Sequence, residues 1–112
     1  MKRSAFAVIA LLISLVALHA YATTPREIEV IVDGGYKPAK IDIAPGEAVR
    51  LKFTRKEYTP CTKDVVFPTL NITRELPVNQ PVIIDIPPQQ SGEVPFRCGM
   101  NMVRGTLVVK AE

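Results

Sequence analysis

The chain has 112 residues, 47% of them hydrophobic and 22% charged, with two cysteines, no tryptophan and a formal charge of +3. That length allows one domain. Part of the hydrophobicity and most of the excess positive charge lie in the first 22 residues, so neither argues for a nucleic-acid or anionic-membrane partner.

Those residues carry the three-part pattern of an export signal. Lys2 and Arg3 form a basic start, Ala5 to Leu18 is apolar, and Ala20-Tyr21-Ala22 is a small-x-small cleavage site. The apolar run falls short of the ~20 residues a membrane-spanning helix needs, so no membrane insertion is expected after cleavage. No cysteine lies near the site to take a lipid. The expected organisation is a signal peptide over residues 1–22 and one domain over 23–112, periplasmic or secreted. Cleavage leaves 12 basic against 11 acidic residues and removes His19, the only histidine of the chain. A domain of about 90 residues buries only somewhat over 60% of its unfolded surface, so a cross-link or a bound metal would help it. Export also places the two cysteines where a disulfide is the default.

After the signal, period-2 alternation dominates. Ile28, Val30 and Val32 alternate with polar residues in a first strand that Gly34-Gly35 ends. Ile41 and Ile43 mark a second, and Ala44-Pro45-Gly46-Glu47 reads as a turn. Val49, Leu51 and Phe53 alternate with Arg50, Lys52 and Thr54, the clearest half-buried strand. Arg55 to Thr62 is polar, contains Pro60 and reads as a loop. Val65-Val66-Phe67 is a short strand closed by Pro68. Val82 to Ile86 precedes Pro87-Pro88, Val94 to Cys98 follows a Ser91-Gly92 turn, and Gly105 to Lys110 is the last strand. The ten prolines fall mainly between these runs. The pattern predicts an all-β fold, an antiparallel sandwich or small barrel of about seven or eight strands with Greek-key connections.

Hydrolytic chemistry finds no support. Nucleophilic catalysis by Ser or Cys usually needs a neighbouring base, and the mature chain has no histidine. Asp33 and Asp42 have no partner at motif spacing, and there is no glycine-rich phosphate loop. Asn71-Ile72-Thr73 matches a glycosylation sequon, which counts only in a eukaryotic secretory pathway. No enzymatic activity is expected.

Sulfur remains. Cys98-Gly99-Met100-Asn101-Met102 places three sulfurs in five residues, and the only other methionine is the initiator. Thiolate and thioether donors together select soft monovalent ions, Cu(I) or Ag(I), over harder ones. Cys61 adds a fourth sulfur if the fold brings it near. The competing reading is that both methionines are adaptable core fillers.

Val94-Pro95-Phe96-Arg97-Cys98, followed by Met102-Val103-Arg104-Gly105-Thr106-Leu107-Val108-Val109, resembles the C-terminal metal-binding loop of cupredoxins. Cys61-Thr62-Lys63-Asp64-Val65-Val66-Phe67 resembles the segment where plastocyanin-like members place a ligand His before a Val-Val-Phe strand. Gly34 to Pro38 and Pro45-Gly46-Glu47 are similar to the opening hairpin of EfeO-type cupredoxin-like domains. The resemblance implies a Greek-key β-sandwich holding copper. It carries Cys98 onto the cysteine ligand and Met102 onto the methionine ligand. Both family histidines are missing: Cys61 lies close to the position of one, and Met100 lies in the stretch of the other. Loss of imidazole shifts such a site toward Cu(I) and away from blue-copper cycling.

Three readings stand. The first is an exported copper protein that binds, traffics or gives resistance to Cu(I) or Ag(I) through Cys61, Cys98, Met102 and Met100, with a copper transporter or redox protein as partner. The second is an electron-transfer cupredoxin with an atypical copper centre. The third is a metal-free interaction module stapled by a Cys61–Cys98 disulfide, whose closed loop of 37 residues contributes up to ~4 kcal/mol in the chain-entropy model.

Overall fold

A computed structural model describes residues 24–111; the expected signal segment, with His19, lies outside the described residues. Nine strands form two sheets: β1 (Arg26–Val32), β2 (Tyr36–Lys37), β3 (Lys40–Ile43), β4 (Val49–Arg55), β5 (Asp64–Phe67), β6 (Ile72–Glu75), β7 (Val82–Ile86), β8 (Gly92–Cys98) and β9 (Arg104–Val109). One sheet has the order β2-β1-β4-β7 and the other β3-β9-β8-β5-β6. No α-helix occurs among the described residues.

The sheets are mixed, which corrects the all-antiparallel expectation. β1 runs parallel to β4 along its whole length, from Arg26 opposite Val49 to Val32 opposite Arg55. β3 runs parallel to β9. Each parallel pair therefore joins strands well apart in sequence, with a crossover between them, as parallel strands require.

Alternation sets which side chains meet between the layers. Val30, Val32, Leu51, Phe53, Ile84 and Ile86 point in from one sheet. Ile41, Ile43, Val65, Phe67, Val94, Phe96, Leu107 and Val109 point in from the other. Burying each such side chain contributes about 1.5–3 kcal/mol. Four aromatic rings form one cluster around Phe96, whose ring centroid lies 4.9 Å from Tyr36, 5.2 Å from Phe67 and 5.9 Å from Phe53.

The turn expected at Ala44–Glu47 forms, with the Glu47 amide donating to the Ala44 carbonyl at 3.2 Å and Gly46 at φ 77°, a conformation glycine adopts without a steric penalty. Two strands had no clear sequence signal. β2 spans two residues, and β6 is an edge strand whose side chains are largely exposed. The Asn71-Ile72-Thr73 triplet lies at the entry to β6, with Asn71 in the left-handed region that Asn tolerates.

Candidate metal centre

Cys98 is the last residue of β8 and continues the inward face set by Val94 and Phe96. It is fully buried and lies opposite Val65 of β5. The chain then turns tightly through residues 99–103 into β9. The Cys98 amide donates to the Val103 carbonyl at 2.9 Å, and the Asn101 amide donates back to the Cys98 carbonyl at 3.0 Å. Asn101 takes a left-handed conformation, and its side chain accepts from Arg104 Nε at 3.1 Å. Arg97 braces the same turn through the Cys98 carbonyl at 3.1 Å.

This turn aims backbone N–H groups at sulfur. The amides of Met102 and Val103 approach Cys98 Sγ to 3.2 and 3.4 Å. Cys61 sits on the 3-10 turn Pro60–Lys63 that leads into β5, half-buried. Its Sγ lies 2.7 Å from Cys98 Sγ. The fold thus brings the two cysteines together.

The two thiols differ in character. Burial pushes the Cys98 thiol up, but the hydrogen bond from Cys61 and the amides of Val103, Met102 and Met100 outweigh it, leaving Cys98 below the ordinary cysteine value. Cys61 moves the other way. Its hydrogen bond to Cys98, burial and repulsion from the neighbouring sulfur raise it, with the Met102 amide opposing. Of the two, Cys98 is shifted toward the thiolate and Cys61 toward the thiol.

Met100 and Met102 lie on the same turn with side chains 61% and 75% exposed. Neither is a core filler; both belong to the turn that follows Cys98. Among the described residues no group of three or more His, Cys, Asp or Glu side chains is placed to hold a metal. A metal held here would therefore draw on the two thiols and on thioether, a donor set that fits a soft monovalent ion and not one that demands imidazole or several carboxylates.

Three neighbours were not singled out by sequence reasoning. Glu57 lies in the connection between β4 and β5. Its carboxylate accepts from the Gly34 amide, from the Thr59 hydroxyl, and from the Thr62 hydroxyl at 2.8 Å. The Gly34 amide is the main reason its carboxyl sits below the usual range; the threonine hydroxyls and Arg55 act the same way against a smaller burial effect. Arg55, buried at the end of β4, donates to the Thr59 carbonyl at 2.8 Å and the Leu76 carbonyl at 3.1 Å. Tyr36 is buried edge-on against Phe96 and Phe53, and its hydroxyl has no hydrogen-bond partner. Burial, then the Cys98 and Cys61 sulfurs, push that phenol far above its ordinary value. None of these residues sits at a spacing that marks it in advance: Arg55 ends β4, Glu57 comes from the irregular connection after it and Tyr36 from the two-residue β2.

The fold recurs among solved proteins. The metal-binding domain of the Streptococcus pneumoniae D39 Cu(I)-exporting P-type ATPase CopA, crystallised with Cu(I), is 27% identical, with a TM-score of 0.75 over 82% of this chain and 92% of that one. A copper binding protein solved by NMR in the apo form is 36% identical, with a TM-score of 0.72 over 80% of this chain and 93% of its own. Auracyanin B, at 14% identity and a TM-score of 0.57 over 81% and 94%, shares the fold alone. A comparison with curated proteins gave no match. The sequence profile described as "Cupredoxin-like domain" matches residues 4–109. With that match over nearly the whole chain and the two-sheet sandwich it predicts in place, the chain belongs to the cupredoxin-like domain family.

Proposed function

We propose that this chain is an exported protein that binds Cu(I), or Ag(I), and stores it or hands it on through Cys61, Cys98 and Met102, with Met100 assisting. The observation that carries this reading is the approach of Cys61 Sγ to 2.7 Å from Cys98 Sγ, with two exposed methionines on the turn that follows Cys98. One sulfur of that pair is already biased toward thiolate, the form that binds metal. A second thiolate forms when the ion replaces the Cys61 proton, so uptake releases protons and strengthens as pH rises. Two thiolates disfavour Cu(II), which makes storage and transfer a better use of the site than electron transfer.

The export pattern at residues 1–22 supports a periplasmic or secreted location, and the opening Gly34–Pro38 segment supports an EfeO-type placement within the family. The resemblance to a domain of a Cu(I) exporter supports a copper transporter as the partner. The reading is of a binding and transfer protein, not an enzyme.

The test uses mature protein purified anaerobically with reductant, its thiols counted and Cu(I) titrated against a competing chelator. Two free thiols and tight uptake are expected, lost on Cys98→Ser, weakened on Cys61→Ser and on Met102→Leu. Unchanged affinity in all three variants overturns the reading. The closeness of the sulfurs also suits a disulfide: an exported protein with no free thiol and no retained copper would be the stapled interaction module instead. A coloured, redox-active Cu(II) form would return the chain to electron transfer.

A further inference from the structure

The two cysteines are held by different means, and the support under Cys61 has a centre. Cys61 lies on a short 3-10 turn at the end of the polar connection that leaves β4 at Arg55, and no strand register fixes it. The 3-10 turn has no side-chain cap of its own. Its far end is held by the Leu76 amide, which donates to the Lys63 carbonyl at 2.7 Å, and the side-chain anchor of its Cys61 end is Glu57. One carboxylate oxygen takes the Gly34 amide, from the turn between β1 and β2, and the other takes the hydroxyls of Thr59 and Thr62. Thr62, fully buried, is the residue directly after Cys61. Arg55 closes the base of the same connection by donating to the Thr59 carbonyl.

We propose that Glu57 is the positioning residue for Cys61: its carboxylate ties the Cys61-bearing turn to the β1–β2 turn and so holds the Cys61 sulfur against Cys98. This rests on the copper reading for its purpose, but the hydrogen bonds it describes join protein groups alone. The carboxylate is suited to the task because it accepts three hydrogen bonds at once and donates none. A glutamine can keep the Gly34 amide only by turning its NH2 end on Thr59 and Thr62, whose hydroxyls must then accept, and it gives up the charge that strengthens all three bonds. Supporting groups behind a metal ligand typically change affinity by about 10–100-fold when removed.

The test compares Glu57→Gln, Thr62→Val and a remote control, Ile86→Val, the last residue of β7, which pairs with Val49 at the end of β4 away from Arg55. Two readouts are taken on reduced protein: the rate at which iodoacetamide alkylates Cys61 without metal, followed by mass spectrometry, and the Cu(I) affinity by chelator competition. Glu57→Gln should speed Cys61 alkylation severalfold and weaken Cu(I) binding by about tenfold. Thr62→Val, which removes one hydroxyl at near-constant volume, should move both the same way by less. Ile86→Val should lower thermal stability and move neither, which separates positioning from general loosening. Alkylation and affinity in Glu57→Gln matching those of Ile86→Val would overturn the proposal. If the wild-type protein itself takes up no Cu(I), the copper reading fails, and the alkylation rates alone decide whether Glu57 positions Cys61.

Discussion

The two sulfur-bearing segments meet at one end of the sandwich but are built on opposite principles. The Cys98 side is backbone: a seven-residue strand, a turn of residues 99–103 closed by main-chain hydrogen bonds, and amides of that turn pointed at the sulfur. The Cys61 side is side chain: a polar connection pinned by Glu57, Thr59, Thr62 and the buried Arg55. Backbone-built geometry is rigid, because moving the sulfur means breaking the hairpin. Geometry held by side chains can yield locally while both sheets stay intact. Under the proposed role of holding an ion and handing it on, one thiol of each kind is an advantage.

The sharpest way to break that comparison is to remove each thiol alone. Cys98→Ser takes away the sulfur that receives the amides, and Cu(I) uptake should fall below detection in a chelator competition. Cys61→Ser leaves the Cys98 sulfur and the thioethers in place and should retain weak binding. Thiolate absorbance in the metal-free protein should separate them too. The wild-type protein should titrate in two steps, one below and one above the ordinary cysteine range. Cys98→Ser should abolish the lower step. Equal losses in both variants would remove the asymmetry.

The backbone side depends on a close approach two residues before Cys98. Gly105 lies opposite Phe96 in the β8–β9 pair. A Cβ there would fall 2.3 Å from Phe96 Cζ and 2.8 Å from the Ala39 carbonyl oxygen. The Phe96 ring would have to leave its place against Tyr36 and Phe67, so Gly105→Ala should cost about 1–3 kcal/mol in chemical denaturation. It should also disturb the Cys98 thiolate step, since Phe96 sits beneath the site.

The same contrast explains how much was readable in advance. Val82–Ile86 matches β7, and the alternation through Val94, Phe96 and Cys98 gives β8 and the inward aim of its cysteine, because period-2 patterning is local. The Cys98–Met102 cluster could be named as a soft-donor loop for the same reason. The parallel pairing of β1 with β4 and β3 with β9 could not be read, since register between distant strands leaves no local trace. β6 was missed because an edge strand with exposed side chains lacks an apolar face. Glu57 was invisible because its partners come from the β1–β2 turn and from positions two and five residues on in an irregular segment. Side-chain networks assembled from several loops carry no period to detect.

The side-chain half should also fail first in acid. Folding holds the Glu57 carboxyl below its ordinary value, chiefly through the Gly34 amide, so the unfolded chain takes up the proton before the folded one does. Its stabilising effect is therefore present above the ordinary carboxylate pKa and is lost as pH falls through the lowered folded value. Denaturation midpoints followed from pH 7 downward should drop below pH ~4.5 in the wild type, and by less in Glu57→Gln. At neutral pH Glu57→Gln itself should cost only about 1 kcal/mol, because the carboxylate is partly open to solvent. A pH dependence shared equally by both proteins would assign acid sensitivity to other carboxylates.

The smallest effects are expected at the methionines, and they distinguish donor from filler cleanly. Both side chains are mostly exposed, so Met100→Leu and Met102→Leu should change thermal stability by no more than about 0.5 kcal/mol. Leucine keeps the apolar bulk and removes only the thioether, so any change in Cu(I) affinity reports sulfur. Met102 is taken as the main thioether donor because the family resemblance puts it at the methionine-ligand position. Met102→Leu should therefore raise the Kd by about tenfold, equivalent to ~1.4 kcal/mol, and Met100→Leu by less than about threefold. Reversal of that order would shift the third donor to Met100. Unchanged Kd values in both variants would leave the ion with the two thiols alone, and the turn would then serve Cys98 through its amides and not its sulfurs.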